Sequence, residues 1–298
     1  MVMRSQPSIK LAAAFLLGGC SCVQAGVSVS ASGNQALANI SLSDGVHTYI
    51  ADVTITFDNP INLTPDELNL SAQLVDAGSI SARLPACLLP LLGCTTMDPA
   101  FPVMITVEPL NLPWLFANGF DANGPPTSNL SFLNTYEFEI HTSDLNYVSA
   151  SAYRLFKAPV NGTFSDITDD VLAGSVRARG RGGSFSQFMI IKDMRASLAV
   201  ELLKEADLDT RILGAALNST LSGQLLGLLA EVQTAVGLAD YATAIANLDE
   251  LVATIQAHAG VDIANVWSSD HTLVNDAGDT LGLAQTLRFT LVRLQNGL

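Results

Sequence analysis

Basic side chains are scarce in this sequence. Its 298 residues carry 14 lysines and arginines against 28 aspartates and glutamates, a formal net charge of −14. Such a surface repels nucleic acid and anionic lipid, which excludes both as expected partners. Charge of either sign is thin, since 14% of residues are charged and 49% are hydrophobic. That excludes a disordered acidic chain, because this much apolar surface collapses into a core. Long hydrophobic runs are missing too. No stretch reaches the roughly 18 uninterrupted apolar residues of a membrane-spanning helix, so the processed chain is expected to have none. Metal-binding and catalytic patterns are also lacking. The four histidines are His47, His141, His258 and His271. No two of them lie four apart, and neither HExxH nor CxxC occurs, so no zinc site and no cofactor is expected. No G-x-S-x-G elbow singles out a nucleophilic serine. With no catalytic constellation, the chain is not expected to be an enzyme.

What is present begins with an address. Arg4 and Lys10 precede an apolar segment, Leu11 to Leu17, and then small residues. This order reads as an export signal, residues 1–25, too short to span a bilayer. Two processing sites compete within "LLGGCSCVQAG" (16–26). Leu17-Gly18-Gly19-Cys20 is similar to a lipobox, in which Cys20 would be lipidated and become the N-terminus. Val23-Gln24-Ala25 suits ordinary signal peptidase. Cysteine parity favours the second. Cutting after Ala25 leaves two of the four cysteines, Cys87 and Cys94 in "CLLPLLGC", a natural disulfide in an oxidising compartment. Lipidating Cys20 leaves Cys22 as an odd thiol. Removing residues 1–25 takes two basic residues and no acidic one, moving the net charge from −14 to −16. The expected location is the periplasm or the extracellular space, with an outer-membrane lipoprotein anchored at Cys20 as the alternative.

Hydrophobic periodicity divides the rest near residue 193. Before it, "VSVSASG" (27–33), "QALANISLS" (35–43), "TYIADVTITF" (48–57), "LNLSAQLV" (68–75), "TYEFEIHT" (135–142) and "GSVRAR" (174–179) alternate with a period of two. Each predicts a half-buried strand. "FDNPINLTPDE", "GFDANGPPTSN" and "RGRGG" between them are rich in turn formers. The combination predicts an antiparallel, immunoglobulin-like β-sandwich over 26–192. From about Arg195 apolar residues recur every three to four positions, in one run from Ile212 to Val236 and another from Tyr241 to Ile255. Asp240 is the expected N-cap and Gly260 the expected stop of the second run. A last helix is expected from Asn275 to Leu294, with Leu281, Ala284, Leu287, Leu291 and Leu294 on one side. Residues 193–298 therefore predict a small α-helical bundle, and the whole chain is of α+β class.

Several residues are candidates for function. Arg177, Arg179 and Arg181 alternate in "RARGRGG", so on a strand they share a face. Guanidinium forks there would suit an anion or acidic glycan; a solvated strand face, paired with the acidic helical part, explains them as well. Glu137 and Glu139 also share a face and fit a glycosidase pair in principle, although alternation alone places them on a solvated face. Asp166, Asp169 and Asp170 in "SDITDD", and the loop opening at Asp121, are weak calcium candidates, because turn chemistry explains them equally. His141 is expected to end a strand and His258 a helix, where a cation suits the helix dipole. Gly174, Gly180, Gly182 and Gly183 are expected in tight turns with positive φ. Phe185 and Phe188 are an odd number apart, so one is expected in the sandwich and the other against the helices.

The stretch from Tyr153 to Asp193 carries Leu155-Phe156, then Phe164-Ser165-Asp166-Ile167-Thr168, Gly174-Ser175-Val176 and Phe185-Ser186-Gln187-Phe188. This series resembles a β-module common at the ends of secreted bacterial proteins. "YATAIANLDELVATIQAHAG", "NVW" and "AGDTLGLAQTLRFTL" look like the small helical module that often follows it. Over most of residues 27–298 the chain is similar to a family of secreted bacterial proteins whose domain has no known function. The resemblance implies the β-then-α order and the address, and it brings no catalytic residues. The expected function is thus a non-catalytic structural or binding module whose partner is an envelope protein or glycan. The rival is a hydrolase using Glu137 and Glu139 or the aspartate cluster.

Overall fold

The computed structural model describes residues 24–87, 94–109, 129–147, 151–172, 174–270 and 272–298. Cys20, Cys22, the loop of Asp121 and His271 lie outside the described residues. The described residues form two antiparallel sheets and six helices, with strands dominating the N-terminal part and helices the C-terminal part.

The first sheet holds β1 (Gln24–Ser32), β2 (Gln35–Ser43), β3 (Thr48–Ile61), β7 (Ser131–Tyr147), β11 (Gly174–Gly182) and β10 (Thr168–Leu172), in that order across it. The second has β4 (Leu70–Leu74), β6 (Val103–Val107), β12 (Gln187–Asp193), β8 (Tyr153–Ala158) and β9 (Ser165–Asp166), with β5 (Thr95–Met97) paired to β12. Strict alternation drives the first sheet. Along β2 the even residues Ala36, Ala38, Ile40 and Leu42 are buried and their neighbours face out. The inward residues of both sheets share one core, in which Phe57, Phe138 and Ile140 meet Val103, Ile105, Leu155 and Phe188. The second sheet is also covered on its other face. There Met104, Phe156, Met189 and Ile191 pack with Ile80, Leu84 and Phe164, beneath the short helix α2 (Ala77–Ser81) that follows α1 (Pro65–Leu68).

Cys87 and Cys94 form a disulfide with their Cα atoms 4.8 Å apart. It ties the segment after α2 to the start of β5. Substituting both with serine should lower stability by about 2–3 kcal/mol, on the entropy of closing so short a loop. Urea unfolding of the variant beside the oxidised protein measures this.

The helices are α3 (Ser197–Gly214), α4 (Ser219–Gly237), α5 (Tyr241–His258) and α6 (Asp276–Gln295). The apolar run expected from Ile212 to Val236 crosses a break. α3 ends at Gly214, and the Asn218 side chain caps α4 by accepting from the Leu221 N–H at 2.9 Å. Asp240 caps α5 through the Thr243 N–H at 3.1 Å, and Gly260 follows its end with φ of 77°. Asn275 caps α6 through the Gly278 N–H at 2.8 Å. Leu208, Ile212, Leu225, Leu248, Leu281 and Leu287 are among the residues that fill the bundle core.

Three sequence expectations need correction. Strand β13 (Val266–Ser268) lies within the part read as helical, pairs with β7, and delivers Trp267 to the core between the sheets. Gly180 and Gly182 are strand residues, not turn residues, and of the four glycines named Gly174 has a positive φ, 109°. Their lack of a side chain serves close approach. A Cβ at Gly180 would strike the Ile167 carbonyl, one at Gly182 would meet the Tyr136 hydroxyl, and one at Gly183 would meet the backbone at Asp279 on α6. Finally, Phe185 and Phe188 both enter the same aromatic cluster. Phe188 stacks on Phe138 at 3.9 Å between ring centroids and Phe185 on Tyr136 at 4.6 Å. The parity argument fails because Phe185 precedes the first residue of β12.

Candidate functional site

Alternation along β11 turns Val176 and Ala178 inward and Arg177, Arg179 and Arg181 outward. The antiparallel register then sets Arg179 opposite Glu139 and Arg181 opposite Glu137 on β7, with Asp170 of β10 opposite Arg179 on the other side. The result is a ladder across three strands. Arg179 Nε lies 2.5 Å and Arg177 Nη1 3.3 Å from the two Glu139 oxygens. Arg181 reaches Glu137 and Asp169, each at 2.8 Å, and Arg179 Nη1 is 3.9 Å from Asp170. The hydrogen bond that Arg179 donates to Glu139 holds its guanidinium above its ordinary range. Burial pushes the Asp169 carboxyl up, with Arg181 opposing. Three arginines thus face four carboxylates, and the stripe is neutralised by its own sheet. This corrects the expected pairing with the acidic helical part, because the partner acids come from the neighbouring strands.

The aspartates of "SDITDD" diverge. Asp169 and Asp170 join the ladder, while Asp166 turns inward to the seam between the sheets and the helices. Its Oδ2 pairs with Lys204 Nζ of α3 at 2.6 Å, and its Oδ1 accepts from the Thr168 N–H at 2.9 Å and hydroxyl at 2.6 Å. Lys204 also donates to the Thr286 carbonyl and hydroxyl and to the Thr290 hydroxyl of α6, at 3.0, 2.7 and 3.0 Å. Beside this pair, Arg195 clamps Asp193 through Nε and Nη2 at 2.9 and 2.7 Å. Arg154 of β8 and Arg293 of α6 complete the group around a small cavity of about 30 Å³. Among the described residues, no three His, Cys, Asp or Glu side chains gather closely enough to hold a metal ion.

A family described as a family of unknown function (DUF6689) matches residues 11–295. The chain belongs to that family. No curated protein and no solved structure matches it. The resemblance read from the motifs between Tyr153 and Asp193 therefore holds at the level of a family without an assigned function.

In this DUF6689 chain the histidines are spread apart. His141 sits within β7 and not at its end, because the strand continues to Tyr147. Its Nε2 is 2.7 Å from the Ser175 hydroxyl and its Nδ1 3.5 Å from Asp52. His258 ends α5 as expected, with Nδ1 2.6 Å from Asp262. His47 lies in an exposed turn, 3.8 Å from Asp44. Arg83, the basic residue nearest the disulfide in sequence, is turned away, with Nε on the Gly162 carbonyl at 2.8 Å and Nη2 on Gln187 at 2.6 Å. Among the described residues no helix is long and apolar enough to cross a membrane.

Sequence reasoning found the ladder's residues but not its pairing. It missed Arg154, Lys204, Arg195 and Arg293 altogether. Lys204 carried one signal. It lies four residues from both Val200 and Leu208 on one face of α3, where a lysine needs a buried anion to be tolerated.

Proposed function

We propose that the protein is an exported, non-catalytic binding or structural module that works in the periplasm or outside the cell, beside an envelope partner. One observation carries the non-catalytic part. Each carboxylate that the sequence offers for hydrolysis is held by a cation, with Glu137, Glu139, Asp166, Asp169 and Asp170 all having an arginine or lysine nitrogen at 2.5–3.9 Å. General acid–base work needs a carboxyl that can exchange a proton with substrate, and a carboxylate in a guanidinium fork is committed to its ion pair. The export part is supported by the Cys87–Cys94 bond, since disulfides form and persist in oxidising compartments.

Purified protein given a panel of glycosides, esters and peptides should leave them intact. Turnover that Glu137→Gln or Glu139→Gln abolishes without unfolding the protein would replace this reading with the hydrolase. Intact mass of the protein from its host tests the address. A start at Gly26 fits a free exported protein, and a start at Cys20 with added acyl mass makes it a lipoprotein.

A further inference from the structure

The described residues hold twelve basic side chains, all of the chain's 14 but Arg4 and Lys10. Arg83, Arg154, Lys157 and Arg293 are the four among them without a carboxylate in ion-pair range. Arg83 is spent on backbone carbonyls and Gln187, and Lys157 on the Ser184 carbonyl and hydroxyl. The other two line the same cavity. Arg154 is 6% exposed and donates from Nη1 to the Ser151 and Tyr153 carbonyls at 2.8 and 2.6 Å. Its Nε and Nη2 make no hydrogen bond among the described residues. The guanidinium of Arg293, half-buried on the last turn of α6, makes none at all there. Both guanidinium groups lie beside one ring, 5.2 and 6.0 Å from the Phe289 centroid. The cavity's two acids are already engaged, Asp193 by Arg195 and Asp166 by Lys204. Two positive charges are therefore left over at one point of an acidic protein.

The same cavity receives the start of α3. Its cap residue, Ala196, offers no side-chain acceptor, and no acid occupies its first turn, so the positive end of the helix dipole is open beside Ser197. Burial, and then the charge of Arg154, hold the Arg293 guanidinium below its ordinary range, with Tyr147, Asp166 and Asp193 opposing.

We propose that this cavity binds a phosphate group, as inorganic phosphate or a phosphomonoester, on Arg154, Arg293 and the Ser197 end of α3. Two fixed charges match a dianion, planar guanidinium forks match its oxygens, and open helix amides complete the shell. At about 30 Å³ the cavity holds a water or two as it stands. The Arg293 side chain, held by no hydrogen bond among the described residues, turns outward to admit the group. A neighbouring recess of about 210 Å³ shares Asp166, Arg195 and Val200 with the cavity and is walled by Phe164, Leu203 and Leu283. It gives an apolar substituent of a monoester somewhere to lie, so phenyl phosphate should bind more tightly than inorganic phosphate.

The inference rests on the reading of the chain as a binding module, and calorimetry at constant ionic strength tests both. Wild-type protein should show saturable, one-to-one binding of inorganic phosphate and of phenyl phosphate. Arg293→Gln should weaken each about tenfold or more, the scale of a lost charge-assisted hydrogen bond. Arg177→Gln, in the neutralised ladder, should change neither. Arg154 is buried and its loss threatens the fold, so the half-exposed Arg293 is the deciding variant. No saturable binding, or equal affinity in Arg293→Gln, overturns the site and leaves the module reading standing. Phenol released from phenyl phosphate would overturn the non-catalytic reading and leave the site standing.

Discussion

Lys204→Met should cost the protein about 3–5 kcal/mol, the penalty for stranding one charge of a buried pair. Asp166 and Lys204 are 8% and 4% exposed, and each has its remaining hydrogen-bonding capacity met by the threonines around it. Removing the ammonium leaves Asp166 with Thr168 alone, and leaves the Thr286 and Thr290 hydroxyls without their donor. Lys204 also joins α3 to both β9 and α6, so the loss should appear as one cooperative transition at a lower urea midpoint. Pairing the change with Asp166→Asn should recover much of it, because the amide oxygen still accepts from Thr168 while neither charge of the pair is left stranded. The pH dependence carries a sign. Burial alone would push the Asp166 carboxyl up, but Lys204, then Thr168 and Arg154, outweigh it and hold the carboxyl below 3.8. A depressed carboxyl stabilises above its unfolded pKa of about 3.9 and loses that stabilisation as pH falls through the folded value. Wild type should therefore weaken in acid below about pH 4. In Lys204→Met the carboxyl has lost its ammonium and burial raises it, so the variant should gain stability as pH falls. A variant as stable as wild type at pH 7 refutes the account.

Strands with one wet face were legible in the sequence. β2 alternates without a lapse because its outer residues meet water. β6, "VMITV", and β12, "QFMIIKD", read as featureless apolar runs because the second sheet is covered on both faces, so both sets of side chains are apolar. β13 is three residues long, too short for any period to show. The helix ends were legible at Asp240 and Asn275, where a side chain makes the cap and the apolar spacing starts afresh. The break before α4 was not, because the apolar spacing continues through it and only Asn218 marks it.

The site residues divide in the same way. Sharing a face is a local property, so Glu137 with Glu139 and the three arginines could be grouped from spacing. Which acid meets which arginine depends on the register between β7 and β11, roughly 40 residues apart along the chain, and no local pattern encodes it. The phosphate cavity is harder still. Arg154 sits in "YRLF", Arg195 at a loop end and Arg293 in a last helical turn, where a cation is ordinary. Each reads alone as a surface residue, and their convergence belongs to the packing of helices on sheets.

The α3 stripe that ends in Leu208 and Ile212 begins with Glu201 and Glu205, where a bundle helix usually carries leucine, and this leads to the opposite expectation for a substitution. Glu201→Leu should stabilise the protein by about 2–4 kcal/mol at pH 8, because it removes a buried carboxyl that must keep its proton where the unfolded chain would lose it. Glu201 and Glu205 are 0% and 5% exposed. Both Glu201 oxygens and one of Glu205 are buried without a hydrogen-bond partner. Burial, then the neighbouring Glu205 carboxyl, push Glu201 from its ordinary 4.5 up to about 9. The folded protein thus keeps a proton that the unfolded chain loses, so stability falls as pH rises from 4.5 to about 9. Glu201→Gln should flatten that slope. Glu201→Leu should flatten it and add the apolar burial that Glu201 fails to supply, so its advantage over wild type should be larger at pH 8 than at pH 5. Urea midpoints at the two pH values decide it. A Glu201→Leu protein less stable than wild type at pH 8 would show that the carboxyl is engaged by a partner, and the stripe would have to be read as a site and not as a defect in the core.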